Sequence, residues 1–217
     1  MKKNLILIGI IVILIIVGVV GYKSLTKKEE ISPQIAMPET LKGKKVAMII
    51  AFKDFRDEEY FVPKEILEKA GAEIKTVSNK MGRAIGADGG DTEVDLLVEN
   101  LNPADFDAVV FIGGPGCLEN LDNENSYKVT RETVSQNRVL ASICISPVIL
   151  AKAGVLEGKK ATVWSSPLDR GPVKILKENG AIYQDEMVVV DGKIITGNGP
   201  GAAEEFGQAI VEVLTSL

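Results

Sequence analysis

The feature that most constrains the fold of this chain is an apolar, β-branched run that ends at a cysteine and leads directly into a helix start. The run covers Val139–Ile143, Cys144 ends it, and Pro147 stands where the first turn of a helix begins. Proline is common at the first helical position, and Gly154 is a natural residue to end the helix. A buried strand, a sharp turn and a helix predict a nucleophile elbow, which holds a reactive atom at the carboxyl end of a strand.

Cys144 has two interpretations at this point. A thiol there lies against the free N–H groups and the positive dipole end of the following helix, which favour the thiolate. The same stretch also fits a structural cysteine that closes a core strand, because free cysteine is among the most buried residue types. The stretch alone leaves both interpretations open.

Strands and helices alternate along the chain from residue 45 onward. Apolar runs at residues 45–52 and 106–112 predict buried strands, and residues 160–164 predict another strand. The pair Asp191-Gly192 between two apolar runs predicts a hairpin. This order predicts an α/β fold with a doubly wound, mostly parallel sheet between layers of helices, plus one added hairpin.

The first residues differ in composition from the rest of the chain. Residues 5–20 contain only Leu, Ile, Val and Gly. An apolar stretch of roughly 18 residues is long enough to span a bilayer. This one is longer than the apolar core of a signal peptide and lacks a small-residue cleavage site. We therefore predict an N-terminal transmembrane anchor at 1–22, a juxtamembrane linker at 23–43 and a globular domain at 44–217.

The positive charges that orient a membrane span are nearly balanced here. Lys2 and Lys3 precede the apolar stretch, and Lys23, Lys27 and Lys28 follow it. A short basic N-terminus ahead of a single span most often stays inside, which exports the domain. We expect a single-pass membrane protein whose domain faces the extracytoplasmic side.

The absence of histidine from the whole sequence excludes several kinds of site. It removes every Cys-His and Ser-His-Asp mechanism and all His-ligated metal sites. We expect neither a cofactor nor a metal. The formal net charge of −5, with no basic stripe, gives no support to nucleic-acid binding.

Glycines follow the strand predicted at 106–112, as Gly113-Gly114-Pro115-Gly116. The run lacks the spacing of a dinucleotide site and the Lys-Ser/Thr of a P-loop. One interpretation is an oxyanion hole in which the Gly114 N–H points beside the thiol. The other is a tight turn that needs a positive φ, and both can hold at once.

Two glutamates, Glu58 and Glu59, follow the first predicted strand. Because the carboxyl ends of parallel strands meet at one edge of the sheet, either acid could lie near Cys144. An ionised carboxylate would raise the pKa of the thiol, whereas a carboxyl kept neutral by burial would donate a hydrogen bond to sulfur and lower it. The alternative is a solvated first helical turn rich in acids.

The order and spacing of these motifs resemble the ThiJ/PfpI family of the DJ-one superfamily, a branch of the class I glutamine amidotransferase-like proteins. The resemblance covers about residues 44–217. Its strongest elements are Glu59 four residues before Pro63, the turn at 111–114, and the segment 141–147 around Cys144. Further matches lie at residues 153–156, 158–162, 199–201 and 205–206.

The resemblance implies a flavodoxin-like fold with Cys144 as the nucleophile and Glu59 as its protonated partner. It also implies that the N–H groups of Gly114 and Ile145 form the oxyanion hole, and that the protein is a homodimer or higher homo-oligomer. Family activities include a so-called intracellular protease, glyoxalase and deglycase action on α-oxoaldehydes, chaperone behaviour and oxidation sensing through the cysteine.

The sequence departs from the family pattern at its histidine positions. The protease-like branch carries His directly after the cysteine, where this chain has Ile145, and another branch carries His before a proline, where Ser166 precedes Pro167. Peptidase activity is therefore disfavoured. Cys117 lies just past the glycine turn by family alignment, either as a disulfide or resolving partner of Cys144 or as an ordinary loop thiol.

These observations predict a membrane-anchored Cys-Glu protein that acts on small reactive carbonyl compounds or senses oxidants through its cysteine. Its small-molecule partner is then a carbonyl compound or an oxidant. The alternative is a non-catalytic binding or chaperone-like module. The sequence leaves open whether the protein is an enzyme. Trp164 is expected to pack against the core rather than to contact substrate.

Overall fold

The structure is a computed structural model and describes residues 40–217. The predicted anchor at 1–22 and the predicted linker up to residue 39 lie outside the described residues. Within residues 40–217, no helix is both long and apolar enough to cross a membrane. Leu41, which the sequence places in the linker, is fully buried, and its N–H donates to the Ala70 carbonyl at 2.8 Å.

The described residues form three sheets and six α-helices. In chain order the strands are β1 (Lys45–Ile50), β2 (Lys53–Phe55), β3 (Glu73–Ser78), β4 (Gly82–Gly86), β5 (Asp91–Val94), β6 (Leu96–Leu97), β7 (Ala108–Phe111), β8 (Val139–Ile143), β9 (Lys160–Ala161), β10 (Ile182–Tyr183), β11 (Val188–Asp191) and β12 (Ile194–Gly197). The helices are α1 (Asp57–Lys69), α2 (Cys117–Leu121), α3 (Glu124–Ser135), α4 (Pro147–Lys152), α5 (Gly171–Glu178) and α6 (Ala203–Thr215).

The main sheet has seven strands in the order β11-β12-β8-β7-β1-β3-β6. Every neighbouring pair is parallel except β11 with β12, the hairpin predicted at Asp191-Gly192. The carboxyl ends of β1, β7 and β8 therefore lie side by side. The predicted doubly wound, mostly parallel sheet is confirmed.

Two layers of helices cover the sheet because side chains alternate between its faces. Met48 and Ile50 of β1 point to the layer formed by α1 and α6. Ala47 and Ile49 point to the opposite layer, which includes α3, α4 and α5. These strands are buried on both faces, which explains why they have continuous apolar sequences.

The predicted strand at residues 160–164 is wrong beyond Ala161. Only β9 forms a ladder there, and it pairs with β10 in a separate two-stranded sheet. Further along, the Thr162 N–H donates to the Thr196 hydroxyl rather than to a backbone carbonyl, and the Trp164 N–H donates to the Cys144 carbonyl. Beyond Ala161, contacts with the Thr196 side chain and with the turn at Cys144 therefore take the place of pairing with a neighbouring strand.

A small three-stranded sheet, β2-β4-β5, lies next to the main sheet. Its antiparallel pair β4 and β5 forms a hairpin. The chain leaves β1 through β2, whose backbone then packs against the glycine run at 113–116. This packing brings the start of α1 to the carboxyl end of β7.

Candidate active site

Cys144 occupies a sharp turn between β8 and α4, with a φ of +66°. Non-glycine residues adopt this region rarely, and such strain persists only where the surroundings hold it in place. Here the Cys144 N–H donates to the Gly197 carbonyl at 2.9 Å, and its carbonyl accepts from Trp164 N at 2.8 Å. The predicted strand, turn and helix geometry is present.

The buried hydroxyl of Ser146 holds the same turn from inside. It lies 2.8 Å from the Ser142 hydroxyl and 2.9 Å from the Phe111 carbonyl, and it accepts the Ile143 N–H at 3.1 Å. Ser146 thereby links β7, β8 and the turn. Sequence reasoning missed this role, and its only signal was two polar residues, Ser142 and Ser146, in an otherwise apolar segment.

Glu59 is the acid that meets Cys144. Its side chain is fully buried in the first turn of α1, whereas that of Glu58 is exposed. The Gly113 N–H donates to Glu59 Oε2 at 3.2 Å, and the carboxyl lies close enough to the Cys144 thiol for each group to change the pKa of the other. Within residues 40–217, Glu59 Oε1 has no nitrogen or oxygen partner. The solvated-turn interpretation thus describes Glu58 and not Glu59.

The environment opposes ionisation of both groups in this pair. Burial raises the pKa of Glu59 to about 7, against the opposing effects of Cys144, Arg56 and the Gly113 N–H. Burial and then the charge of Glu59 raise the pKa of Cys144, while the N–H groups of Gly114 and Ile145 lower it. The two groups titrate together, because a thiolate and a carboxylate this close repel each other.

The glycine run is required by the close approach of several backbones. A Cβ on Gly113 would lie 2.5 Å from Cys144 Cβ and 2.7 Å from Glu59 Oε2. Gly114 has a φ of +113°, and a Cβ there would lie 2.4 Å from Arg56 N. The interpretation as a turn with a positive φ is therefore confirmed, and the Gly114 N–H lowers the pKa of the nearby Cys144 thiol. The oxyanion hole stays a prediction.

A pocket of about 350 Å³ opens above the sulfur, and Cys144 itself is 9 % exposed. Trp164 forms part of its wall, so this side chain does not only pack against the core. Arg56 also lines it, a residue that sequence reasoning did not single out. The other lining residues are apolar or contribute backbone: Gly114, Pro115, Leu118, Ile145 and Pro200.

Comparison with known proteins identifies the family. Residues 44–213 match the model of the DJ-1/PfpI family. This chain belongs to the DJ-1/PfpI family. An uncharacterised protein of Methanocaldococcus jannaschii is 39% identical over 204 residues, which is 94% of this chain and 95% of that protein. A deglycase of Pyrococcus abyssi is 32% identical over 167 residues, covering 77% of this chain and 98% of the deglycase.

A solved structure shares the fold of this DJ-1/PfpI protein. The ThiJ/PfpI domain protein of Brachyspira murdochii is 35% identical and superposes with a TM-score of 0.76. The match covers 81% of this chain and 99% of that structure. The family resemblance and the flavodoxin-like α/β fold expected from the sequence are confirmed.

Cys117 has different surroundings from Cys144 in this DJ-1/PfpI chain. It is fully buried at the first residue of α2, and both cysteines are free thiols. Burial, followed by the charges of Cys144 and Glu59, raises the pKa of Cys117 well above its ordinary value. The structure therefore contains no disulfide between Cys117 and Cys144.

Ser166 lies away from the sulfur, in the loop before α5. Its hydroxyl accepts the N–H groups of Leu168 at 3.3 Å and Asp169 at 3.0 Å. It is not among the residues that line the pocket. Over the described residues, no group of three or more acidic or cysteine side chains is arranged to hold a metal.

Proposed function

We propose that this protein uses Cys144 as a nucleophile toward small reactive carbonyl compounds, in glyoxalase-like or deglycase-like chemistry. The observation that carries the proposal is the buried Cys144–Glu59 pair at a strained turn beneath an accessible pocket. The relative named a deglycase supports the substrate class. Perturbed titratable groups that converge in a pocket are typical of catalytic sites.

The pair supports nucleophilic attack when it holds one proton. Two of the causes that raise the pKa of Cys144 are the charge of the Glu59 carboxylate and the hydrogen bond to it. Both effects disappear when Glu59 carries the proton, and its O–H can then donate to the sulfur. The N–H groups of Gly114 and Ile145 stabilise the same thiolate. No imidazole is needed for this arrangement.

The chemistry on an α-oxoaldehyde proceeds through a covalent adduct. The thiolate forms a C–S bond with the aldehyde carbon, whose C=O electrons move to oxygen, and Glu59 protonates that oxygen. The hydrogen of this carbon then leaves as a proton while the neighbouring ketone carbon gains one, and the hydroxyl proton of the adduct passes to the ketone oxygen. The product is a thioester of a 2-hydroxy acid. Water hydrolyses the thioester and frees the thiol. The net reaction adds one water.

Peptidase activity is not proposed, because the chain has no imidazole to take the proton of the thiol and pass it to the amine of a cleaved peptide bond. The residue after the cysteine is Ile145, and the whole chain contains no histidine. Addition to an aldehyde needs no leaving group, so one carboxyl is sufficient. This difference favours carbonyl chemistry over peptide hydrolysis.

Methylglyoxal turnover by the full-length chain in detergent tests the proposal. We expect Cys144→Ala to abolish formation of the 2-hydroxy acid and Glu59→Gln to lower kcat by at least about 100-fold, the range of acid–base catalysis. Cys117→Ala is the matched control and should retain activity. Wild-type protein that makes no 2-hydroxy acid, or a Cys144→Ala variant that keeps full activity, would contradict the proposal.

Cysteine oxidation is the second candidate function, and the orphaned Glu59 Oε1 favours it. The Cys144 thiolate can take one oxygen from each of two peroxide molecules, which are reduced to water, to give a sulfinic acid. A protonated Glu59 could donate to one sulfinate oxygen. Mass spectrometry after peroxide treatment should find two added oxygens at Cys144 and none at Cys117. Oxidation of neither residue would leave a binding or chaperone-like module.

We also propose that residues 1–22 anchor the protein in a membrane, with the domain on the extracytoplasmic side. The sequence of this segment supports the proposal. The Methanocaldococcus jannaschii relative aligns with 94% of the chain, so the similarity extends well into the segment before residue 40. Membrane fractionation after alkaline carbonate washing tests the anchor, and protease protection tests the side. Release by carbonate, or a protected domain in right-side-out vesicles, would contradict the respective claim.

Homodimer formation is proposed from the family resemblance alone. Light scattering of the full-length chain in detergent, corrected for bound detergent, measures the protein mass. We expect twice the chain mass of 23.3 kDa or a higher multiple. A single-chain mass at all concentrations would contradict it.

A further inference from the structure

We propose that Arg56 forms an anion-binding subsite beside Cys144, so that the preferred carbonyl compounds carry a carboxylate close to the reacting carbonyl. The chemistry of these substrates rests on the proposed function. The subsite itself does not, because any small anionic electrophile that enters the pocket can reveal it.

Backbone contacts fix Arg56 at the pocket. Its N–H donates to the Gly113 carbonyl at 3.1 Å, directly beside the Cys144–Glu59 pair. Its side chain is 31% exposed and lines the same pocket as Cys144. Of the described residues that line this pocket, Arg56 is the one with a charged side chain. An anionic group that enters the pocket therefore meets a cation near the sulfur.

The guanidinium is held from one side only. Asp88 accepts from Arg56 Nη1 through both carboxylate oxygens, at 3.0 and 3.3 Å. Within the described part of the chain, Nε and Nη2 make no hydrogen bond. A guanidinium has five N–H donors in a fixed fork, so the remaining edge matches a carboxylate. Asp88 thus orients the Arg56 guanidinium, and N–H donors of the guanidinium remain for the carboxylate of a ligand.

The turn that presents Asp88 is itself fixed by α1. The Asp57 carboxylate accepts the Asp88 N–H at 2.8 Å and the Gly90 N–H at 2.6 Å. Asp57 directly follows Arg56 in the chain, so the same helix start supports the cation and its partner. This support keeps the Arg56 side chain from moving freely in solvent and lowers the entropy cost of binding a ligand.

The electrostatics of the site favour this use of Arg56. A thiolate at Cys144 repels an anionic substrate, and a cation that faces both of them offsets the repulsion. Arg56 already interacts electrostatically with Glu59 and Cys144. Of the other nearby acids, Asp88 is paired with Arg56, Asp57 accepts the Asp88 and Gly90 N–H groups, and Glu58 is exposed. A role confined to stabilising the thiolate would accelerate neutral and anionic electrophiles equally, and this distinction can be measured.

The test compares iodoacetate with iodoacetamide, two electrophiles of similar size of which only the first is an anion. Alkylation rates at Cys144 are measured by mass spectrometry on the full-length chain, and the ratio of the two rates is divided by that of N-acetylcysteine. We expect Arg56→Gln to lower this normalised ratio by about tenfold, the value of one charge-assisted hydrogen bond. Arg56→Lys should recover part of the loss.

Arg83→Gln is the matched control. Arg83 also pairs with an aspartate, Asp91, but it does not line the pocket. The Arg83→Gln substitution removes the same charge and should leave the normalised ratio of the two alkylation rates unchanged. An equal fall of both rates in Arg56→Gln, or an equal change of the ratio in Arg83→Gln, would overturn the proposal. Circular dichroism and the denaturant midpoint are measured for each variant, and the ratio is compared only between variants that fold as the wild type does, because an unfolded chain would expose Cys144 to both reagents.

A substrate pair separates this inference from the proposed function. An α-oxoaldehyde with a terminal carboxylate and its methyl ester are compared by kcat/KM. We expect the wild type to prefer the carboxylate and Arg56→Gln to lose the preference. Equal turnover of both compounds by the wild type would overturn the subsite while preserving the proposed function. Turnover of neither, with the alkylation ratio still dependent on Arg56, would refute the proposed function and leave the subsite standing.

Discussion

Cys144 and Cys117 are the same residue type near the same glycine turn, but the structure gives them opposite environments. Cys144 is 9 % exposed beneath a pocket, has a φ of +66° and faces a buried carboxyl. Cys117 is fully buried in the opposite hydrophobic layer, at the start of a short helix. Both precede helical turns. The difference therefore teaches that a pocket and a partner acid, rather than a helix start, distinguish a reactive thiol from a structural one.

The largest expected difference between the two cysteines is in their alkylation rates. We expect iodoacetamide to label Cys144 at least about 100-fold faster than Cys117, because Cys117 must wait for local opening of the core. Peptide mass spectrometry over a time course gives both rates from one sample. Comparable labelling rates would mean that burial does not make Cys117 less reactive than Cys144.

Replacement of Glu59 by Gln should remove a pH dependence from the stability of the domain. The pKa of Glu59 is raised from 4.5 to about 7 in the folded state, so the folded state holds this proton more tightly than the unfolded state. The resulting stabilisation is complete below pH 4.5, falls as the pH rises, and is lost above about pH 7.

Denaturant unfolding of the full-length chain in detergent measures this effect. Relative to Glu59→Gln, the wild type should lose up to about 3 kcal/mol across that window. Cys117 contributes no such loss, because burial raises the pKa of its thiol well above the ordinary value and the thiol keeps its proton throughout this window. A wild type whose stability rises relative to the variant over the same window would reverse the sign and contradict the buried, protonated acid.

Gly113→Ala should disrupt the site because the new methyl group would occupy the space between Cys144 and Glu59. A Cβ there would lie 2.5 Å from Cys144 Cβ. We expect a loss of about 1–3 kcal/mol, typical of overpacking, and slower alkylation of Cys144. Gly201→Ala, which has no atom within 4 Å of its added Cβ, is the control and should change stability little. Equal stability of both variants would contradict the close approach.

Ser146→Ala should have the smallest effect. The variant keeps the backbone but removes the hydroxyl that meets Ser142 and the Phe111 carbonyl. We expect a loss of about 1–2 kcal/mol, since a buried acceptor is left unpaired. Alkylation of Cys144 should slow by a smaller factor than in Gly113→Ala, while Cys117 is unaffected. Faster alkylation of Cys144 would mean that Ser146 restrains the thiol rather than positions it.

Local sequence signals were sufficient for the elbow but not for its acid. A β-branched run followed by Pro147 has few alternatives to a strand and a helix start, and the structure has both. Glu59 could be chosen over Glu58 only through the family resemblance, because neighbouring residues of a first helical turn are chemically equivalent in the sequence. Burial distinguishes them, and burial depends on the whole fold.

The missed residues depend on contacts between distant parts of the chain. From the sequence alone, Arg56 is expected to be part of a charged, solvated turn. In the structure, a hydrogen bond to Asp88 of the β4–β5 connection holds its side chain at the pocket. This contact joins residues that are 32 positions apart in the chain, and no local pattern contains it. Trp164 was assigned to a strand because its apolar run looks buried, but it forms a pocket wall because the strand ends at Ala161.

The most direct test of the central claim is the pH dependence of iodoacetamide labelling at Cys144 in the wild type and in Glu59→Leu. A protonated Glu59 that donates to the thiolate partly offsets the burial of Cys144, so the account predicts a lower apparent pKa of the thiol in the wild type than in the variant. An apparent pKa that falls when Glu59 is removed would show that the acid stays ionised and repels the thiolate. That result would contradict the proposed catalytic pair.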